Sequence, residues 1–332
     1  MNDLWITVVI PTYNRMESLR LTLDGLARQT LPRDQFEVVV VSDGSTDGTA
    51  EFLTKYAGEC SFALRSIDQE NGGPSRARNR GIAEARGEVI VLLDDDVEPV
   101  AEFLAGHTAH HITAKKVAVI GPMLPDPARR RSEPAWIAWE HAMLRKQYEN
   151  WRTGVWTDVG PRNFYSGNAS VRREHVLSVG GFNEEFKRLE DVELAGRMQR
   201  DCGVEFVYDA APIGIHRPHR SLEAWMTIPT SYGRLEVVRA RAGDGSWETI
   251  RDSYRGRHIL TRFLASLTFA LPATQAPLRV LLIGIARMCF RAGLTPLSNA
   301  ALSALYNVAY LQSARAEMGA AEFKKLVTNC SP

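Results

Sequence analysis

Between residues 5 and 120 the chain alternates between two kinds of segment. Four apolar, β-branched runs, "WITVVI", "FEVVVVS", "FALRSI" and "EVIVLLDDD", are separated by stretches whose apolar residues recur at helical spacing. No other feature narrows the fold as much. Strand, helix and strand in repetition need crossover connections, which leave the strands mostly parallel and put helices on both faces. Residues 16–28 set Met16, Leu19, Leu23 and Leu26 on one helical face. Residues 75–86 open on Ser75 and stop at Gly87, signals for the two ends of a helix. The run "KVAVIGPML" is read as closing the sheet near residue 120. The fold class expected is α/β, with a Rossmann-like sheet.

Beyond that point the rhythm is lost. Residues 122–162 are rich in Pro, Arg and Trp without sustained periodicity, and read as a loop-rich excursion over one sheet edge. "NFYSGNASVRREHVLSVGGF" returns to strand and helix, and residues 190–202 read as a helix. From about residue 221 the spacing is helical to the end. The organisation expected is an α/β region, 1–220, which divides where the rhythm is lost into 1–121 and 122–220, and a helical C-terminal region, 221–332.

The totals exclude some functions. Forty basic residues against 39 acidic give a net charge of +1, so no protein-wide field for nucleic acid exists. Four cysteines, Cys60, Cys202, Cys289 and Cys330, are scattered without a CxxC pair. That argues against a zinc site or disulfide framework and for a reducing, cytoplasmic setting. The first residues read as a strand and not as a signal peptide. "LRVLLIGIARMCFRAG" is interrupted by Arg279, Arg287 and Arg291 and is not read as a bilayer span.

In open parallel sheets, ligands sit beyond the carboxyl ends of the strands. In this chain those ends carry Thr12-Tyr13-Asn14, "SDGSTDGT", "DQENGGPSRARN" and Asp94-Asp95-Asp96. Three adjacent carboxylates repel one another and are costly to bury unpaired. A solvated strand end would tolerate them. A divalent cation would also relieve them, and Mg²⁺ and Mn²⁺ favour carboxylate and phosphate oxygens.

The runs "VVIPTYNR", "VVVSDGSTDGT", "ENGGPSRARNRGIAEARGEVIVLLDDD" and "GNASVRREHVLSVGGFNEEF", followed by "LEDVEL", stand in an order that resembles family 2 glycosyltransferases of the GT-A fold, over roughly residues 5 to 220. The resemblance implies that 1–220 is a catalytic region, with a nucleotide-binding half, 1–121, and an acceptor-side half, 122–220, and it implies a role for each matching position. Pro11 and Tyr13 fall where the family packs the nucleotide base, and Asp43 where a carboxylate accepts from it, typically from uracil. Asn71 and Arg78 match positions near base and diphosphate. Asp94 and Asp96 form a DxD element, with Asp94 toward the ribose or sugar and Asp96 on Mn²⁺ or Mg²⁺. Asp95 fills the variable middle position of that donor-binding element. His216 in "IGIHRPHRS" matches a third metal ligand, or is a structural imidazole. Asn168 in "SGNASV" lies on the acceptor or sugar side, or is a turn residue. Glu190 is placed beside it on the acceptor side, and Asp191 matches the general base, although acids also favour helix N-termini for the dipole alone.

The function implied is inverting, metal-dependent transfer of a sugar from a nucleoside diphosphate, UDP above all, to an acceptor hydroxyl. Such chemistry builds glycans, polysaccharides, glycolipids or natural-product glycosides. The alternative is a degenerate transferase kept as a glycan-binding or scaffold module, but that predicts loss of carboxylates which Asp94, Asp96 and Asp191 retain. A dinucleotide oxidoreductase would need GxGxxG after the first strand, and a pyrophosphorylase a Gly-rich loop there; "PTYNR" is neither. Ser42 stands where many relatives carry a second Asp. The basic run "ARRRSEP" is read as a solvated loop, or as an attraction for an anionic acceptor or lipid headgroup. The C-terminal helices are expected to pack on the catalytic region or on a second copy, because their apolar stripes are broad. The competing expectation is peripheral contact with an anionic membrane.

Overall fold

In the computed structural model, residues 6–129, 132–186, 188–243 and 247–328 are described; residues 1–5, Arg130 and Arg131 of the basic run, and Cys330 lie outside them. The strands are β1 (Ile6–Thr12), β2 (Phe36–Asp43), β3 (Ala63–Gln69), β4 (Val89–Leu93), β5 (Val97–Pro99), β6 (Val117–Ile120), β7 (Met123–Pro125), β8 (Asn168–Arg172), β9 (Glu205–Tyr208) and β10 (Gly214–His216). The helices in the same stretch are α1 (Met16–Ala27), α2 (Thr49–Glu59), α3 (Pro74–Glu84), α4 (Phe103–Thr113), α5 (Ala135–Arg152), α6 (Arg173–Ser178) and α7 (Glu190–Arg197). The C-terminal helices are α8 (Leu222–Ala242), α9 (Trp247–Arg255), α10 (Ile259–Ala270), α11 (Gln275–Arg291), α12 (Thr295–Met318) and α13 (Ala320–Thr328).

Among the described residues the main sheet runs β3-β2-β1-β4-β8-β6-β9. β1 to β4 are mutually parallel, as the alternation requires, and β8 alone is antiparallel to its neighbours. Ile6, Val8 and Ile10 of β1 enter a core with Leu19, Leu23 and Leu26 of α1, while Val9 faces a second core with Ile82 of α3. Successive side chains of a strand point to opposite faces, so helices cover both sides of β1. A small second sheet, β5-β10-β7, stands beside the tip of β4.

Two expectations fail. β6 does not close the sheet: β8 returns between β4 and β6, and β9 lies at the edge. Residues 122–162 are not a loop excursion either, because α5 occupies Ala135–Arg152. Its apolar residues do not form one stripe that faces one core. Trp139 joins a cluster with Trp225, whereas Tyr148 and Trp151 stack against Tyr208. A helix serving two cores has no single 3.6-residue period to read.

The chain divides into two compact units, one of residues 1–131 with 141–219, the other of 132–140 with 220–332. In the second unit α8 and α12 cross closely. A Cβ at Gly233 would meet the Tyr310 carbonyl oxygen at 2.2 Å, so only glycine lets the backbones approach there. Trp225 is fully buried, edge-on to Trp139 at 5.5 Å between ring centroids. The apolar stripes of α10 and α11 are not fully buried. Residues 272–291 form a segment long and apolar enough, by length and composition, to cross a membrane, with mean hydropathy 1.2 and 17% of it buried.

Candidate active site

The site begins where the sheet parts. β1 pairs with β2 as far as Thr12↔Ser42, but its ladder with β4 ends at Val9↔Leu92. Pro11, buried, thus has a strand partner on one side only, a position a sheet proline tolerates. The chain order also reverses direction between β1 and β4, the crevice where doubly wound sheets bind ligands.

The loops that leave β1 and β2 are laced together. Asn14, left-handed at φ 51, accepts from the Thr46 N–H at 2.7 Å, and its own N–H donates to Ser45 Oγ at 3.1 Å. Asp47 accepts from the Met16 N–H at 3.0 Å, supplying the N-terminal bond of α1, and from Thr49 Oγ1 at 2.5 Å. Against the opposing pull of burial, these bonds to Thr49 and Met16 hold its carboxyl below the usual range. Tyr13 stands half-exposed at the mouth.

Asp43 organises the next loop. Its carboxylate accepts from Gln69 Nε2 at 2.7 Å, the Gly72 N–H at 2.9 Å and the Gly73 N–H at 2.8 Å. Asn71 Nδ2 donates to the Asp43 carbonyl at 2.9 Å. Two of these bonds shape the segment Asn71–Ser75, which lines a pocket together with Glu184 and Phe186.

At the tip of β4 the repulsion among the carboxylates is relieved by arginines. Arg15 lies 3.0 Å from Asp95 Oδ1 and 3.1 Å from Asp96 Oδ2, while Arg78 lies 2.8 Å from Asp94 Oδ1. Burial disfavours the charge on each guanidinium, but the carboxylates more than offset it and raise both pKa values. Asp95 is the buried member. It accepts from Thr12 Oγ1 at 2.8 Å, and its carbonyl from Thr22 Oγ1 at 3.1 Å. Burial pushes its carboxyl up to about 7 against the pull of Arg15. Asp95, expected at the variable middle position of the donor-binding element, thus anchors the turn. Asp94 keeps a side chain 36% exposed, the most open carboxylate of the three. Gly167 sits against it so closely that a Cβ there would lie 2.8 Å from Asp94 Oδ2.

Arg78 also reaches across to α7, 3.2 Å from Glu190 Oε1. Leu189, buried and left-handed at φ 58, turns the chain into that helix. A bulky residue in this conformation is strained, and such strain clusters at functional sites. Beside it Asp191 accepts from the Val192 N–H at 2.8 Å. Burial and then the Glu190 charge push the Asp191 carboxyl up to about 7, opposed by the Val192 N–H and Arg78. An acid tuned to that value can take a proton at neutral pH.

Asn168, expected on the acceptor or sugar side or as a turn residue, is an interior residue. It is fully buried at the head of β8, and its amide donates to the Pro122 carbonyl at 3.0 Å and the Pro212 carbonyl at 2.8 Å. Its remaining oxygen faces His107 Nε2 at 2.9 Å. Those two donations fix Oδ1 as the acceptor, so His107 must carry its proton on Nε2. Ser170 Oγ then donates to His107 Nδ1 at 2.9 Å and accepts from His111 Nε2 at 2.8 Å. Burial lowers both imidazoles, to about 4 and about 3, so this interior chain is neutral. No spacing in the sequence announced it.

The donor set fits a hard divalent cation, although no three-residue His, Cys, Asp or Glu cage exists among the described residues. Asp96 Oδ1 and His216 Nε2 are 3.7 Å apart, with Asp94 two residues away in sequence. Mg²⁺ and Mn²⁺ commonly take one or two carboxylates and complete their shell with phosphate oxygens and water. Arg217, next in the chain, is engaged by Asp126 at 2.8 Å and by Glu98.

Comparison with known proteins gives a consistent answer. The family model described as "Glycosyl transferase family 2" matches residues 7–174. Validoxylamine A glucosyltransferase of Streptomyces hygroscopicus subsp. jinggangensis is 32% identical over 244 residues, which is 64% of this chain and 56% of that protein. Poly(ribitol-phosphate) beta-N-acetylglucosaminyltransferase TarS of Staphylococcus aureus is 30% identical over 135 residues, 39% of this chain and 24% of that protein. The chain therefore matches about a quarter of one relative's length and just over half of the other's. Among solved structures, the mannosyltransferase PcManGT of Pyrobaculum calidifontis, in complex with GDP-Man and Mn²⁺, superposes with TM-score 0.61 at 22% identity, covering 93% of this chain and 86% of that one. S. aureus TarS 1–349 in complex with UDP gives 0.53 at 19% identity, covering 95% and 92%. At these identities the likeness to the solved structures is one of fold.

Proposed function

The chain belongs to glycosyl transferase family 2 and has the GT-A fold, and on that premise we propose that it transfers a sugar, with inversion, from a nucleoside diphosphate to an acceptor hydroxyl. The observation that carries this reading is Arg78. Buried and paired with both Asp94 and Glu190, it makes the acidic tip of β4 and the start of α7 parts of one site. One acid group there faces the donor, and the other faces the incoming nucleophile.

Each residue has a definite task in this reading. The loop fixed by Asp43, with Asn71 in it, and half-exposed Tyr13 receive the base, uracil in the first instance. Asp96 and Asp94, with the His216 imidazole beside Asp96, would hold Mn²⁺ or Mg²⁺. When bound, that cation supplies positive charge to the departing diphosphate. Arg78 keeps Asp94 in place. Asp191 takes the proton of the acceptor hydroxyl as it attacks, and Glu190 helps set its basicity. A single base opposite the leaving group gives direct displacement. Support comes from relatives captured with GDP-Man and Mn²⁺ and with UDP. The acceptor class, whether glycan, lipid or small molecule, would be set by residues 122–162.

The test is a panel of nucleoside diphosphate sugars scored by thermal stabilisation with and without Mn²⁺, followed by turnover. One donor class should raise Tm in a Mn²⁺-dependent way. Asp96→Ala should lose that dependence together with turnover. Stabilisation by no sugar nucleotide under either condition would overturn the proposal.

A further inference from the structure

The C-terminal unit carries a surface that catalysis does not use. On α10 Ile259 is 71% exposed and Phe263 61%, four residues apart on one face. The chain turns through Pro272–Thr274 with Leu271 exposed at the corner, and α11 then presents Val280, Leu281 and Met288, at 70%, 58% and 66%. The opposite face of α11 is already occupied. Leu282, Ala286 and Cys289 are buried, and Ser298 Oγ of α12 donates to the Ala286 carbonyl at 2.9 Å. The outer face is thus an apolar strip left over after the unit has packed. Isolated exposed apolar residues need no explanation, but a run along two successive helices does.

Charge identifies what covers it. Between Asp252 and Glu317 the sequence contains no acidic residue, yet it contains seven arginines: Arg255, Arg257, Arg262, Arg279, Arg287, Arg291 and Arg315. On α11, Arg279, Arg287 and Arg291 are exposed beside the apolar strip. In a chain whose acids and bases nearly cancel, this segregation leaves α10 and α11 without an acid of their own. The charge of the Glu223 carboxylate on α8 reaches Arg279 and Arg287, and basic residues stay in excess on these two helices. A second copy of the chain is a poor occupant. A twofold contact sets the same patch against itself and so brings like charges together.

We propose that α10, the Pro272–Thr274 corner and α11 lie on an anionic lipid bilayer, with the apolar strip at the acyl boundary and the arginines among the headgroup phosphates. Helices of this composition sit in the plane of the interface. Crossing is a worse fit. It would carry Arg279 and Arg287 into hydrocarbon and strip α11 from α12.

The full-length protein, mixed with phosphatidylcholine vesicles with or without phosphatidylglycerol, should float only with the anionic lipid and be released by high salt. Phe263→Glu combined with Leu281→Glu should abolish flotation while leaving Tm and solution turnover unchanged. Should that variant fail to fold, Arg279→Gln with Arg291→Gln carries the test, and its vesicle affinity should fall roughly 25-fold. Absence of flotation, or flotation that survives these substitutions, overturns the proposal. So does release by detergent only, which marks a spanning helix. A dimer in light scattering that Phe263→Glu dissolves, without vesicle binding, assigns the surface to a second copy instead.

Discussion

The first unit and the acid-free stretch of the second treat their arginines differently, although elsewhere in the second unit Arg220, Arg234 and Arg241 are also paired with carboxylates. In the catalytic unit Arg15, Arg65 and Arg78 are each set against carboxylates, and Arg78 is nearly sequestered from water. In the C-terminal unit, within the acid-free stretch, Arg315 lies 4.9 Å over the Phe269 ring, Arg287 lies 5.7 Å over Trp136, and others face solvent. A balanced total charge therefore conceals two separate devices. One stores opposed charges around a site, and the other leaves an excess of positive charge on a surface. Opposed charges held out of water are expensive to disturb, whereas solvated ones are not.

That contrast can be broken most sharply at Asp191. Asp191→Asn should lower kcat about 10³-fold with donor affinity nearly unchanged, because a base acts chiefly in the transition state. On the proposed reading Asp191 acts in its ionised form, and burial and the Glu190 charge raise its carboxyl to about 7. Wild-type turnover should therefore decline as pH falls through that value, and the Asn variant should lack this limb of the profile. A decline centred near the usual aspartate range would remove Asp191 from the role.

Arg78→Ala is next in size. It leaves Asp94 and Glu190 without their shared partner, and a broken buried pair costs about 3 kcal/mol, to be read by denaturant unfolding. Substituting Arg279, on the cationic surface, should change stability by less than about 0.5 kcal/mol. Equal losses at the two positions would erase the distinction between the units. Gly233→Ala gives a smaller, purely structural effect. Its added methyl meets the Tyr310 carbonyl, and overpacking of this kind costs about 2 kcal/mol. Tm should drop while the KM for donor stays fixed below the transition.

The sequence displayed the β1–β4 half of the fold plainly, because apolar runs, buried on both faces in β1, β2 and β4, alternate with helices that have one apolar face. The strand tips were legible for the same reason: polar clusters after such runs have few structural uses. It concealed whatever depends on partners distant in the chain. Arg15 gave no sign that it would span Asp95 and Asp96. Asn168, beside a glycine in a turn-like string, gave none that its amide would be spent on the carbonyls of Pro122 and Pro212. β8 was visible as a strand, but its antiparallel insertion between β4 and β6 is a matter of topology that local pattern does not carry. α5 was lost because its aromatic residues answer to two cores.

The early end of the ladder between β1 and β4 has a consequence for how a donor would enter on the proposed reading. Beyond Val9 and Leu92 the two strands are joined by side chains, Thr12 to Asp95 and Arg15 to Asp95 and Asp96, so admission there would break no main-chain ladder bond. A guest meets walls already in position, held by Asn14, Asp43 and Asp47. Little of its affinity is spent on reshaping the host, and selectivity among nucleotides should follow from fit to a standing mould.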